Sequence, residues 1–164
     1  MPKFTPTTVR RDSGATAACG PYEALLFSDS GGLSQFGAFE EILPPGSASS
    51  IKHWHAAEDE MVYMIEGTAT VIEGDETYLL HAGEAATFKA GVATGHCLRN
   101  DTPAPIRYLV IGTRSTGDTV TYPDHDRILR FTRAPGATEV SERRYSTLDG
   151  TPATTSPYDA PDER

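Results

Sequence analysis

The sequence predicts an all-β protein, an antiparallel sandwich or barrel whose small closed form is a jelly roll. Three observations predict it. Helical periodicity is hard to find anywhere in the 164 residues. The middle of the chain is instead a series of short runs rich in Val, Ile, Thr, Tyr and Phe. Gly and Pro punctuate these runs at short, regular spacing, as strands joined by tight turns require.

Taken in order, residues 1–20 are polar and give a weak signal, so an irregular arm or at most one strand is expected there. Strands are expected over 35–43, 49–55, 60–66, 69–73, 77–80, 85–88, 96–100 and 106–113. Pro44-Pro45-Gly46, residues 56–59, Gly74-Asp75, Ala82-Gly83 and residues 102–105 supply the turns between them. From Ala134 onward the chain is dense in Thr, Pro, Ser and charge. Such a segment cannot build a core of its own, but it can wrap over the domain or over a partner subunit. The expected organisation is an arm over 1–20, one β-barrel domain over 21–133 and a polar tail over 134–164.

Composition excludes several function classes. Fourteen basic residues against 23 acidic ones give a formal charge of −9. That field repels phosphate backbones, and no basic stripe interleaved with aromatics offsets it, so nucleic acid is not an expected partner. No apolar run approaches membrane-spanning length, and the N-terminus lacks the apolar stretch of a secretory signal. No membrane partner is expected, and cytoplasm is the default location. Cys19 and Cys97 are the two cysteines, far apart and outside any C-x-x-C, so they read as free thiols.

The chemistry concentrates in HWHAAEDEMVYMIEG, residues 53–67. His53 and His55 are two positions apart, so on a strand both imidazoles leave the same face and Trp54 leaves the other. A turn over 56–59 brings the next strand back, with Glu60 at its start. Two imidazoles and one carboxylate make an open set suited to a first-row divalent ion. A fourth ligand is available downstream in His96, which begins a strand after a Gly-rich loop. Glu58 competes with Glu60 if the register differs; otherwise Glu58 and Asp59 read as solvated turn residues. Tyr63 should point away from the ligands, whereas Val62 and Met64 share the parity of Glu60 and should line a pocket. Asn100 could support the site or a turn. Lys52, Arg99, Lys89 and Arg107 read as solvated, with Lys89 at the pocket rim. His81 and His125 are not expected as ligands.

These residues resemble the two motifs of the cupin superfamily. The first appears as His53-Trp54-His55, four residues, Glu60, six residues, Gly67. The second appears as Gly83, five residues, Lys89-Ala90-Gly91, four residues, His96, three residues, Asn100. Three features depart from the family pattern. Gly46 precedes His53 by six intervening residues rather than five, Lys89 stands where proline is usual, and the loop between Gly91 and His96 is two residues longer. The resemblance implies a double-stranded β-helix, a jelly-roll barrel, with one divalent transition metal ion (Mn, Fe, Zn or Ni) held by His53, His55, Glu60 and His96.

More narrowly, the chain resembles small bacterial single-domain cupins labelled sugar-phosphate-isomerase-like. That implies a metal-dependent enzyme on a small polar substrate, a sugar or sugar phosphate, with Glu60 as the residue that moves protons. An Fe(II)-dependent dioxygenase and a non-catalytic small-molecule binder use the same ligands and stay open. Both faces of 61–65 are apolar, and a homodimer is expected to cover the outer one.

Overall fold

A computed structural model describes residues 3–159, and strands dominate it. In chain order they are β1 (Arg10–Thr16), β2 (Gly20–Leu26), β3 (Phe36–Leu43), β4 (Trp54–His55), β5 (Glu60–Glu66), β6 (Thr68–Glu73) and β7 (Glu76–His81). There follow β8 (Ala85–Phe88), β9 (His96–Arg99), β10 (Ile106–Thr113), β11 (Gly117–Tyr122), β12 (Arg127–Thr132), β13 (Glu142–Ser146) and β14 (Pro152–Ala153). One turn of helix, α1 (Phe27–Ser30), and one 3₁₀ turn at Pro123–His125 complete the regular structure among the described residues.

The strands form two facing layers. One is a six-stranded antiparallel sheet in the order β1-β2-β3-β10-β5-β8. The other comprises β14-β13-β12-β11-β4 and β7-β6-β9. Two antiparallel bridges, His53 with His96 and Ala48 with Arg99, join these two parts along the segment that precedes β4. Between the layers lie Leu43, Val62, Met64, Leu98, Ile106 and Tyr108, each at most 2% exposed. A smaller apolar cluster of Ile51, Val120, Tyr122 and Phe131 packs under the second layer. The architecture is the double-stranded β-helix expected above.

Several strands lie where the sequence suggested irregular chain. β1 pairs with β2 over its whole length, although its side chains are mostly exposed. It is an edge strand, carries Arg10, Arg11 and Asp12, and so shows no apolar alternation to read. In the tail, β13 pairs with β12 and β14 with β13, extending the second layer. Residues 1–2 of the arm and 160–164 of the tail lie outside the described residues. Between 114 and 133, β11 and β12 form a hairpin across the 3₁₀ turn.

The strand expected over 49–55 is regular only at Trp54–His55. Serine hydroxyls take over the ladder before it: Ser49 Oγ accepts from Leu98 N–H at 3.0 Å, and Ser50 Oγ bonds the His53 ring at 3.1 Å. Side-chain bonds of this kind compete with regular pairing and bend the segment.

Gly67 turns the chain between β5 and β6 at a φ of +84°. A Cβ there would stand 2.7 Å from Ile106 Cγ2, in the centre of the core. Left-handed strain and core overlap both oppose a side chain, so Gly67→Ala should destabilise the fold by about 2 kcal/mol or more. Urea unfolding of the variant, compared with Gly83→Ala, measures it; Gly83 shares the positive φ but has open space around it. Equal losses for the two would contradict the overlap.

Candidate metal centre and cavity

His53 and His96 are directly opposed across two antiparallel segments. His53 N–H donates to the His96 carbonyl at 3.1 Å, and His96 N–H donates to the His53 carbonyl at 2.8 Å. Opposed residues project to one face, and the two ring centroids stand 5.0 Å apart. His96, the fourth ligand expected from downstream, thus arrives alongside His53 in the same layer. Glu60 crosses the interior from the other layer. On β5 it lies opposite Phe88 of β8, and the Phe88 ring stacks flat on His96, with centroids 3.6 Å apart. The Glu60 carboxylate stands 3.8 Å from His96 Nε2. The candidate ligand atoms of His53, Glu60 and His96 all lie within 4.8 Å of one another.

His55 stands beside this trio, its ring centroid 5.1 Å from that of His53. Its Nδ1 donates to Asp118 Oδ2 at 2.6 Å. The other Asp118 oxygen accepts from the N–H groups of Ala57 and Thr119, both at 2.7 Å. His55, Glu58 and Asp118 also fall within 4.8 Å of one another. Yet Asp118 is occupied on both oxygens, and Glu58 Oε1 accepts from Ser115 N–H, Ser115 Oγ and Arg133. Those bonds make the second group a support for His55. Asp118 fixes the proton on Nδ1 and leaves Nε2 with its lone pair, the arrangement that metal-binding histidines commonly need.

The donor set fits a first-row divalent ion. His96 Nε2 is buried and has no hydrogen-bond partner among the described residues. His53 Nδ1 faces the Ile51 carbonyl at 3.0 Å, so it carries the proton and Nε2 is free to ligate. An unpaired buried ring nitrogen beside a carboxylate is costly unless something else occupies it. Burial, with the neighbouring imidazoles, pushes the His53 pKa down to about 4, so this ring is neutral at neutral pH. Burial alone would raise Glu60, but His96, His53 and His55 hold it below its ordinary range as a carboxylate. Burial likewise opposes charge on His55, and Asp118 overrides it and raises the ring's pKa.

Two of the trio, His53 and Glu60, line the wall of a cavity of about 390 Å³. Strand register builds that wall in rows. Glu60, Gly112 and Gly37 form one row across β5, β10 and β3, and the two glycines leave space where side chains would stand. Val62, Val110 and Phe39 form the next row, an apolar stripe. Tyr108 and Glu41 lie in the row after, and Tyr108 donates from its hydroxyl to Glu41 Oε2 at 2.6 Å. Glu41 also faces the cavity. Burial pushes its carboxyl up to about 7, against the opposing Tyr108 hydrogen bond.

Other expectations sort cleanly. Val62 lines the cavity, whereas Met64 belongs to the core. Asn100 is fully buried and holds the turn, bonding the carbonyls of Leu43 and Ala104 and accepting from Thr102. Glu58 is a correction: it is no solvated turn residue but a cavity-lining acid paired with Arg133. Lys52, Arg99 and Arg107 are paired away from the cavity with Asp124, Asp101 and Glu40. Glu41, Tyr108, Asp118, Arg114, Arg133 and Tyr158 were missed. Only Glu41 left a signal, an acid sharing the inward parity of Phe39 and Leu43.

A double-stranded β-helix with a His-rich centre between its layers defines a class of barrel proteins. The cupin domain family model matches residues 39–112. A solved cupin-superfamily structure from Silicibacter pomeroyi, named a sugar phosphate isomerase, is 32% identical, covers 93% of this chain and 97% of its own, and superposes with a TM-score of 0.81. A candidate sugar phosphate isomerase from Acidithiobacillus ferrooxidans shares the fold at 22% identity, with 94% and 97% coverage and a TM-score of 0.75. No curated protein matches the sequence. The chain belongs to the cupin superfamily. No helix among the described residues is long and apolar enough to cross a membrane.

Glu41 and His53 set opposite pH dependences of stability. Glu41 is raised from 4.5 to about 7, so its stabilising contribution is complete below 4.5 and is lost as pH rises through 7. His53 is lowered from 6.5 to about 4, so its contribution is present above 6.5 and is lost as pH falls towards 4. Glu41→Gln should remove only the first effect, roughly 3 kcal/mol between the two limits. Urea midpoints of wild type and variant across that range read the difference. Identical pH profiles would contradict it.

Proposed function

We propose that the chain is a divalent-metal-dependent enzyme that interconverts the aldose and ketose forms of a sugar or sugar phosphate. The observation that carries this reading is the orphaned, buried His96 Nε2 beside Glu60 and His53, two residues that line the cavity. His53, His96 and Glu60 would hold the ion, with His55 beside them, and Asp118 would orient His55. Held there, the ion would polarise a carbonyl and a hydroxyl on adjacent carbons.

The chain's own residues supply the proton handling. Of the three acids lining the cavity, Glu41 and Glu60 are pushed apart by their surroundings. Glu60 stays ionised and can accept a proton, the role expected from the sequence. Glu41 keeps its proton to higher pH and can lend it to a substrate oxygen, with Tyr108 holding the carboxyl in place. The apolar row between the polar ends limits water around a bound polyol. The relative from Silicibacter pomeroyi supports the choice of substrate class.

Aldose–ketose conversion across a sugar and sugar-phosphate panel, with Mn, Fe, Zn or Ni supplied, tests the proposal. Glu41→Gln should lower kcat by about 10²-fold or more with metal content unchanged, as loss of a positioned acid predicts. His53→Ala should lose both metal and turnover. A fully metal-loaded protein that turns over nothing on the panel would sink the reading.

A homodimer is expected to cover the outer face of β5, where Tyr63 and Ile65 are exposed. Light scattering behind a sizing column reads its mass; a monomer at micromolar concentration contradicts it.

A further inference from the structure

Two arginines line the cavity in a chain whose net charge is −9. Arg133 follows β12, and Arg114 follows β10. Arg133 is nine-tenths buried, lies over the Phe131 ring at 5.2 Å and makes both of its guanidinium hydrogen bonds through Nη1. One goes to Glu58 Oε1 and the other to the Ser115 carbonyl, each at 2.8 Å. Its Nε is buried without a partner, and Nη2 has no protein acceptor among the described residues. The Nε/Nη2 edge is the side of a guanidinium that grips an oxyanion with two parallel hydrogen bonds. Nε is thus a buried donor left unsatisfied, which costs free energy unless an acceptor occupies that side of the guanidinium.

Arg114 is tied to the same loop. Arg133 N–H donates to the Thr116 carbonyl at 2.7 Å, and its Nη1 reaches Ser115, the residue next to Arg114. Asp29 and the Leu33 carbonyl hold the Arg114 guanidinium above Gly37, whose missing side chain leaves it room. Each arginine already has one carboxylate, so neither pair carries net positive charge in excess. What they offer an anion is directed N–H groups in a buried setting, where such bonds are strong.

We propose that the Nε/Nη2 edge of Arg133, assisted by Arg114, is a phosphate subsite that binds the anionic end of the substrate. This rests on the isomerase reading above and narrows it to a phosphorylated sugar. His53 and Glu60 then receive the reacting carbons, and the arginines on the same cavity wall receive the phosphate.

Calorimetric titration with inorganic phosphate tests the subsite without requiring turnover. Arg133→Lys keeps a cation for Glu58 but has no Nε/Nη2 edge. It should weaken phosphate binding on the order of 10- to 100-fold, with unchanged metal content and melting temperature. Arg114→Gln, which leaves the Glu58 pair intact, carries the same direction of change if Arg133→Lys fails to fold. His53→Ala should still bind phosphate within about threefold, because both Arg133 hydrogen bonds, to Glu58 and Ser115, are made without His53. Phosphate binding that survives Arg133→Lys and Arg114→Gln unchanged overturns the proposal. So does binding that vanishes in His53→Ala, which would put the anion on the metal, and so does acetate binding as tightly as phosphate at equal ionic strength. Failure of the isomerase reading looks different: phosphate binds through Arg133, yet no sugar phosphate is converted.

Discussion

The reciprocal backbone bonds between His53 and His96 are the constraint on which the rest of the site depends. They close the gap between two parts of one layer, and they put two imidazoles side by side. Side chains alternate along a strand, so a slip of one residue would send either ring to the opposite face. The facing layer contributes a matching pair, Glu60 and Phe88, whose register sets the carboxylate and the stacking ring over His96. Two cross-strand pairs, one from each layer, therefore define the centre.

Burial pushes every acid here toward its neutral form, and the partners of each decide the outcome. Glu60 lies among three imidazoles and keeps its charge. Asp118 keeps its charge by accepting hydrogen bonds from His55 and two backbone N–H groups. Glu41 has a tyrosine hydroxyl as its hydrogen-bond donor, and burial drives it toward the neutral form. Two glutamates lining one cavity, Glu60 and Glu41, thus shift in opposite directions with the same side-chain chemistry. Local partners decide, as expected where desolvation and paired charge compete.

Strand alternation made the barrel legible from 35 to 113, and the H-x-H, Glu and second-motif spacing made the central histidines and Glu60 legible too. What alternation could not reveal were strands without an apolar face. β1 and β13 are paired yet exposed, so their sequences look like polar chain. The support residues were hidden for another reason. Arg114 and Arg133 line the cavity and Asp118 holds His55, through contacts spanning tens of residues such as His55 with Asp118 and Glu58 with Arg133. Sequence separation carries no trace of such pairs. Glu58 was misread because a turn acid is usually solvated; here a distant arginine folds over it.

The flat contact between Phe88 and His96 has a spectroscopic consequence. Protons of the imidazole lie in the shielding cone above an aromatic ring whose plane is parallel within 1°. Ring currents there should displace the His96 carbon-bound proton resonances upfield, away from those of the other four histidines. Any ligand that tilts the ring changes that displacement. The residue at the heart of the centre therefore comes with a built-in magnetic label, readable in solution without isotopic modification of the site.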